Sequence, residues 1–368
     1  MRILVSGAGV AGLSAGITLT ATGHDVTIVE RANHLRVNGS PIDVRGESVG
    51  IAEKMGILDQ IRSCQIDMSK RIHFVGRDGE VLATPPQAEI NDSDDDIEIA
   101  REDLAGILHA ALPSSAELIF GDSIDRLDDN GDEVEVHFQS GSRDRYDLVV
   151  GADGLHSATR RLTFGPESAY LRHLGFYTAL ARVPSPVEPG ATNPMYNYPG
   201  HLAGIAHYRD KALAVFIFRS AWIDYDYHDL DVQKQILADA FAGHDEWQIP
   251  ELLAAAQNDP ELYFDSVSQI DMPAWYRGNV VLVGDAAHCA SPLSGRGTSL
   301  ALTAAWFLAQ ALRARPGDTQ QAFQRYEHDQ RPHAARAQAT APVGGDLLVP
   351  ATQDALDTRN RRLSTMTP

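Results

Sequence analysis

Three glycines near the amino terminus have the spacing of a phosphate-binding turn. Gly7, Gly9 and Gly12 follow the apolar run 3–5 and open an apolar helical pattern. Gly7 permits a tight turn, Gly9 lets the backbone approach a pyrophosphate, and Gly12 lets the helix pack closely on the strand. A second apolar run ends at Glu30, which is placed to accept hydrogen bonds from a ribose diol. The stretch predicts a dinucleotide-binding unit, with a glycine turn in an unrelated α/β protein as the alternative.

Composition restricts the class of partner. The 368 residues can form two domains, and the formal net charge is −19, whereas nucleic acid and anionic membranes require a basic face. Solubility is the simpler explanation of this acidity, and the acidic run 92–96 is interpreted as a solvated loop, not a metal site. Cys64 and Cys289 are too few for a disulfide framework. Without a signal peptide or an apolar run that could span a bilayer, we expect a cytoplasmic protein with no membrane partner.

The strand-then-glycine pattern recurs at 148–151 and 280–284, and β-rich stretches lie between the two recurrences. The sequence therefore predicts an α/β fold in which a Rossmann-like dinucleotide-binding domain is interleaved with a β-sheet substrate domain. We expect the first domain to comprise 1–72, 98–165 and 270–335, the second 73–97 and 166–269, and a C-terminal tail with a helix 336–368.

Periodicity predicts the individual elements. Helices are expected at 48–58, 101–112, 231–242, 249–257 and 298–312, a hairpin turning at 77–79, and a meander turning at 209–211. In the tail past Arg331, Pro332, Pro342, Pro350 and the pair Gly344-Gly345 predict a break before a last short helix near 351–363.

Three segments in order resemble one enzyme family. The first motif is the glycine turn with Glu30 and Arg31; the second, 153–160, matches DGxxSxxR; the third, 284–297, matches GDAAHxxxPxxGxG. Together they resemble the group A flavin-dependent monooxygenases, the para-hydroxybenzoate hydroxylase-like family, over about residues 1–335. Chain length and the run PLSGRGTSLAL resemble the tetracycline-inactivating branch and natural-product tailoring hydroxylases. Ser299 stands where many members have Asn.

The resemblance implies an enzyme with one FAD and with NADPH or NADH as transient co-substrate. Reduced flavin would react with O2 to a C4a-hydroperoxide and hydroxylate an aromatic or polyketide-like small molecule, while the protein orients the substrate and excludes water. A flavoprotein dehydrogenase or a cyclase that does not use oxygen is the alternative enzyme class. A redox-sensing or binding protein is the non-enzymatic alternative. Substrate identity and oligomeric state stay open.

The same resemblance assigns cofactor contacts. Asp285 would accept hydrogen bonds from the ribityl hydroxyls of FAD, and backbone N–H groups near Gly297 and Thr298 would stabilise negative charge on the reduced ring. Arg101 would bind the pyrophosphate, or else pair with a surface acid. Arg45 would lie beside the flavin ring. The predicted cofactor-binding set is Gly7, Gly9, Ala11, Gly12, Glu30, Arg31, Arg45, Arg101, Asp153, Asp285, Pro292, Gly295, Gly297 and Thr298.

Several other residues carry weaker assignments. Asp153 and Arg160 resemble residues that serve FAD and NADPH, although Asp153 could simply cap a turn. His288 is interpreted as structural and Cys289 as packing, and no protein residue is assigned catalysis, although Arg45 is a candidate. Residues 247–250, beginning at Trp247, resemble half of the WxWxIP signature of flavin-dependent halogenases, and that interpretation is disfavoured because Asp245 occupies the first tryptophan position. The substrate walls are predicted to include Tyr196, Tyr198, His207, Phe216 and Phe218, with core packing as the alternative.

Overall fold

A computed structural model describes residues 1–35, 39–67, 71–86, 93–184, 188 and 190–366. The strands are β1 (Arg2–Ser6), β2 (Asp25–Glu30), β3 (Ile42–Val44), β4 (Ile72–Val75), β5 (Val81–Ala83), β6 (Ile97–Ile99), β7 (Glu117–Phe120), β8 (Ile124–Asp129), β9 (Val134–Phe138), β10 (Arg143–Tyr146), β11 (Leu148–Gly151), β12 (Leu171–Arg182), β13 (Asn193–Tyr198), β14 (His201–Tyr208), β15 (Lys211–Arg219), β16 (Tyr263–Ile270), β17 (Tyr276–Arg277) and β18 (Val280–Leu282).

The helices are α1 (Val10–Ala21), α2 (Glu47–Lys54), α3 (Leu58–Ser63), α4 (Arg101–Ala111), α5 (Ala158–Phe164), α6 (Leu230–Ala240), α7 (Ile249–Asn258), α8 (Asp285–His288), α9 (Gly297–Ala314), α10 (Thr319–Leu348) and α11 (Gln353–Thr365). Within the described ranges, none of these helices is long and apolar enough to cross a bilayer.

The first large sheet is largely parallel and has strand order β17-β18-β11-β1-β2-β7. Ile3 and Val5 pack on the helix side with Leu13 of α1, whereas Leu4 faces the small antiparallel sheet β10-β9-β8. Burial on both faces explains why β1 reads as a continuous apolar run. The carboxyl ends of β1, β2, β11 and β18 lie at one edge, where ligands bind in doubly wound folds.

The second large sheet has strand order β16-β12-β15-β14-β13-β4-β5. One face, here called the outer face, packs against α6 and α7 through Leu237, Phe241 and Leu252. The opposite face, the inner face, carries Phe176 and Met195 and packs against the end of α10, α11 and Leu293 of the third motif; its other members are Phe74, Leu202, Ile217 and Val267. The α/β fold with an FAD-type domain and a β-sheet substrate domain is confirmed, while the exact domain boundaries stay a prediction.

One predicted helix is wrong in detail. The helix expected at 48–58 is divided into α2 and α3, because Gly56 adopts a left-handed φ of 73° between them. Pro332 and Pro342 do not end a helix, since α10 runs through both to Leu348. The chain does break at Pro350, before α11.

Specific partners make the prolines acceptable in α10. A proline cannot donate a hydrogen bond to the carbonyl four residues earlier, and for Pro342 that carbonyl belongs to Gln338. Gln269 Nε2 donates to Gln338 O instead, at 2.8 Å. For Pro332 the carbonyl belongs to the exposed His328, where water can serve. Gly345 is a contact point, since a Cβ there would lie 2.8 Å from the Phe176 ring.

Candidate functional site

The first motif has the geometry of a turn that brings backbone close to a ligand. Gly7 has a φ of 101°, and its N–H donates to Val29 O at 2.7 Å. A Cβ at Gly7 would lie 2.6 Å from the carbonyl oxygen of Ala152, and one at Gly12 would overlap the carbonyl oxygen of Gly7. Gly9 differs, because among the described residues no heavy atom beyond its chain neighbours lies within 4 Å of its Cβ position. Gly7 and Gly12 therefore permit packing, and Gly9 faces open space.

Glu30 lies at the rim of this turn, as predicted for an acidic residue ending β2. Its carboxylate accepts hydrogen bonds from the backbone N–H of Ala8 at 2.8 Å and of Ala32 at 2.9 Å. These bonds fix the carboxylate beside the N-terminus of α1, within reach of a ligand at Gly9. Arg31 follows with an exposed side chain.

The third motif is held against the first by small residues. A Cβ at Gly284, whose φ is 60°, would lie 2.8 Å from the Cβ of Ala11. Farther along α1 and α9, Thr18 Oγ1 donates to Ala305 O at 3.3 Å. The two helices pack together, and both begin at the edge of the sheet where the motifs lie.

The end of the third motif presents an accessible helix N-terminus. Pro292 is exposed, Gly295 is left-handed with a φ of 61°, and α9 begins at Gly297, with Thr298 half-buried in its first turn. In the part of the chain that the structure describes, only the chain neighbours and the helix's own backbone come within 4 Å of a Cβ at Gly297. Gly9 and Gly297 thus leave the backbone open at the N-termini of two helices, where N–H groups and the helix dipoles favour an anionic group.

Asp285 and Arg101 face the same region. The Asp285 side chain is solvent-exposed, yet protein closely surrounds it, and desolvation raises the pKa of its carboxyl. A hydrogen bond with Cys289 and the positive charge of Arg101 oppose that rise. Arg101 begins α4, and its guanidinium lies beside Gly39, where a Cβ would be 2.8 Å from Nε. An accessible carboxylate walled in by protein is typical of a cleft that binds hydroxyl groups.

Arg45 lies over the third motif. Its guanidinium is 3.5 Å from the Cβ position of Gly295, and its backbone N–H donates to Ser299 Oγ at 2.9 Å. Asp43 pairs with the guanidinium at 2.8 Å. Asp43 could have been found in the sequence, because residues two apart on a strand share a face.

Asp153 of the second motif serves its own loop. Oδ1 accepts a hydrogen bond from Ser157 Oγ, and Oδ2 accepts bonds from the N–H and the hydroxyl of Thr159, both at 2.9 Å. This arrangement matches the capping alternative for Asp153, whose role toward a cofactor stays a prediction.

The other charged residues of the second motif join distant segments. Arg160 is fully buried and donates to Ala286 O at 3.0 Å, to Leu155 O at 2.6 Å and to Glu167 at 2.7 Å. His156 bonds Glu167 at 2.9 Å and Asp265 at 3.3 Å. Burial works against the imidazolium, but the two carboxylates prevail and raise the pKa of His156 to about 9. The second motif therefore links the third motif to β16.

The predicted substrate residues lie on the outer face of the sheet or at its periphery. Tyr196, Phe216 and Phe218 belong to the outer-face core with α6 and α7. Tyr198 packs on Phe241 of α6's C-cap, and His207, on the same side of β14, bonds Thr192 O at the sheet's periphery. Side chains alternate along a strand, so an error of one residue moves a whole set to the other face. The four aromatic residues therefore pack on the outer face, whereas Leu293 of the third motif packs on the inner face.

The remaining assignments concern buried residues. His288 is fully buried, and desolvation lowers its pKa to about 3, so its ring is neutral and lies against Trp275. Cys289 is buried and donates to Ser268 O at 3.6 Å. Trp247 stacks on Tyr196 in the outer-face core, with ring centroids 6.0 Å apart. Among the side chains that the structure describes, no group of three or more could hold a metal ion.

Comparisons with known proteins agree with this geometry. The family described as FAD binding domain matches residues 1–206 and 261–341. An uncharacterised protein of Mycobacterium tuberculosis is 40% identical over 331 residues, covering 88% of each chain. A flavin-dependent monooxygenase of Legionella longbeachae is 35% identical over 334 residues, covering 89% of this chain and 84% of that one.

A solved structure extends the similarity to nearly the whole fold. The crystal structure of tetracycline destructase Tet(51) is 31% identical, with a TM-score of 0.85, and the match covers 98% of this chain and 95% of that one. The resemblance carried by the three motifs is confirmed. The chain therefore belongs to the flavin-dependent monooxygenases that share this FAD-binding domain.

Proposed function

We propose that this monooxygenase hydroxylates an electron-rich aromatic or polyketide-like molecule, with NADPH or NADH as hydride donor. The observation that carries the proposal is the position of the third motif against the inner face of the sheet. Leu293 packs with Phe176 and Met195 on that face, while Gly297 beside it stays open. An apolar wall next to a helix N-terminus suits a flat organic substrate lying over a flavin.

The residues of the first and third motifs fit FAD. Open backbone at Gly9 would admit the pyrophosphate, and Glu30 and Asp285 would accept hydrogen bonds from sugar and ribityl hydroxyls. FAD supplies the redox chemistry with NAD(P)H and O2 when bound. The N–H groups at the start of α9 would stabilise negative charge on the ring, and Arg45 would lie beside it.

The substrate wall is assigned to the inner face. Val215 is half-buried there and touches both apolar clusters of that face, the one with Leu293 and the one with Tyr208. Met195 lies on the same face. These positions replace the outer-face aromatics as candidate substrate contacts. The tetracycline-named relative supports a polycyclic substrate of the polyketide class.

The experiment combines label incorporation with oxygen control. FAD-loaded protein is supplied with NADPH, ¹⁸O2 and tetracycline or a phenolic polyketide as probe, and the product is analysed by mass spectrometry. We expect NADPH oxidation that depends on the probe, and one labelled oxygen atom in the product. Turnover under anaerobic conditions, or a product without label, would refute the proposal and favour the dehydrogenase or cyclase alternative.

A further inference from the structure

We propose that Asp96 is a positioning residue that holds the Arg45 guanidinium over the third motif. The proposal rests on the proposed placement of Arg45 beside the flavin. Asp96 ends the acidic run whose interpretation as a solvated loop is wrong for this residue. Asp94 and Asp95 are exposed, whereas only 3% of the Asp96 side chain is accessible; Asp92 lies outside the described residues.

Burial of this carboxylate requires a compensating charge. Asp96 Oδ1 accepts hydrogen bonds from Gly46 N–H at 3.3 Å and from Ser93 Oγ at 3.1 Å, and Oδ2 accepts one from Ser93 N–H at 3.4 Å. These distances are at or beyond the long end of the normal range. A buried ion is tolerated when an opposite charge lies close by. Arg45 Nε is 4.0 Å from Asp96 Oδ2 and provides that charge.

The surroundings of Arg45 fix both its backbone and its side chain. Its N–H is shared by the hydroxyls of Ser48 at 3.1 Å and Ser299 at 2.9 Å. Its guanidinium lies between two carboxylates, with Asp43 at 2.8 Å and Asp96 at 4.0 Å, and only 9% of the side chain is accessible. Asp96 also accepts from Gly46, the next residue, so it joins the backbone turn to the side chain that the turn presents.

Asp43 and Asp96 have different roles toward Arg45 in this arrangement. Asp43 lies on β3, two residues before Arg45, so its ion pair with Arg45 joins residues of one short segment. Asp96 precedes β6, which pairs with β3 through Val44 and Ile97. Asp96 therefore anchors Arg45 to a second strand, and its loss would free the guanidinium to leave Gly295.

A double-mutant cycle on FAD affinity tests the proposal. The variants are D96N, R45Q, the double variant and D95N, which changes the neighbouring exposed aspartate as a matched control. Asparagine keeps an acceptor oxygen for Gly46 N–H but lacks the charge. We expect R45Q to weaken FAD binding about tenfold and D96N several-fold. The double variant should be no weaker than R45Q, and D95N should match wild type.

Two further measurements distinguish the proposed positioning role of Asp96 from a purely structural one. The unfolding midpoint of FAD-free D96N should stay near that of D95N, and the visible spectrum of bound flavin should change in the same sense in D96N and R45Q. Wild-type affinity in D96N, or losses that multiply in the double variant, would overturn the proposal.

Two further outcomes separate this proposal from the proposed function. Failure of wild type to bind FAD would refute the function itself, whereas loss of affinity in R45Q alone would refute only the role of Asp96. If D96N does not fold, D96E replaces it in the cycle. The longer side chain displaces the carboxylate. D96E should therefore lower FAD affinity when Arg45 is present and leave it unchanged when it is added to R45Q.

Discussion

Replacing Arg160 by methionine should cost about 3–5 kcal/mol of unfolding free energy. Arg160 is fully buried and donates to the carbonyl oxygens of Ala286 and Leu155 and to the carboxylate of Glu167. Methionine fills much of the same volume but donates nothing. Each buried carbonyl left without a donor costs about 1–3 kcal/mol, and Glu167 loses its closest positive charge.

The loss should appear as a lower urea midpoint of the FAD-free protein, followed by circular dichroism. R161M is the matched control, because Arg161 is the next residue and its side chain is exposed; we expect it to stay within about 0.5 kcal/mol of wild type. FAD affinity should also fall in R160M, since Ala286 adjoins Asp285. A loss below about 1 kcal/mol in R160M would refute the reasoning that this residue joins the second motif to the third.

Three other perturbations follow from the geometry. The folded protein raises the pKa of His156 to about 9. The stability that this residue contributes is therefore complete below its unfolded pKa near 6.5 and is lost as pH rises through about 9. The urea midpoint should fall between pH 7 and 10 in wild type but not in H156Q. V215W should abolish quenching of flavin fluorescence by the probe without changing FAD affinity. F216W, on the outer face, should overpack the core and lower the free energy of unfolding by about 1–3 kcal/mol. The reverse pattern would contradict the assignment of faces. G12A should prevent FAD binding in a fluorescence titration, because the added Cβ overlaps the turn before α1, while G50A, with open space at its Cβ, should bind FAD like wild type.

The parts of the site that are local in the chain could be predicted from the sequence. The turn at Gly7, the helix behind it and the acidic end of β2 lie within thirty residues, and each follows from glycine conformation or strand periodicity. The order of the three motifs then sufficed for the family. The positions of Asp285 and Gly297 follow for the same reason, since a strand, a short turn and a helix start place both at one edge of the sheet.

The face of the substrate sheet could not be predicted this way. In β15 both sets of alternating residues are apolar, Phe216 and Phe218 on one face and Val215 and Ile217 on the other. A sheet buried on both faces gives no polarity signal to tell them apart. The choice depends on α6 and α7, which cover the aromatic set from elsewhere in the chain.

Compensation by distant residues explains the other errors. From the sequence, Pro342 is expected to break a helix. In the structure, Gln269 in β16 donates to the carbonyl that the proline leaves free. From the sequence, Asp96 is expected to belong to a solvated run. In the structure, Arg45, fifty-one residues earlier in the chain, lies beside it. Neither partner has a local signature, because each depends on how two strands or a strand and a helix are placed in three dimensions.

The contacts among the motifs separate residues that build the site from residues that can use it. Gly7 packs on Ala152, Ala11 on Gly284, and Arg160 bonds Ala286, so each motif touches another at a point with no room for a ligand. Gly9 and Gly297 have open space instead. Substitutions of the first group should therefore reduce stability and FAD binding together, and substitutions of the second should reduce FAD binding alone. This division follows from packing and does not depend on which substrate the enzyme oxidises.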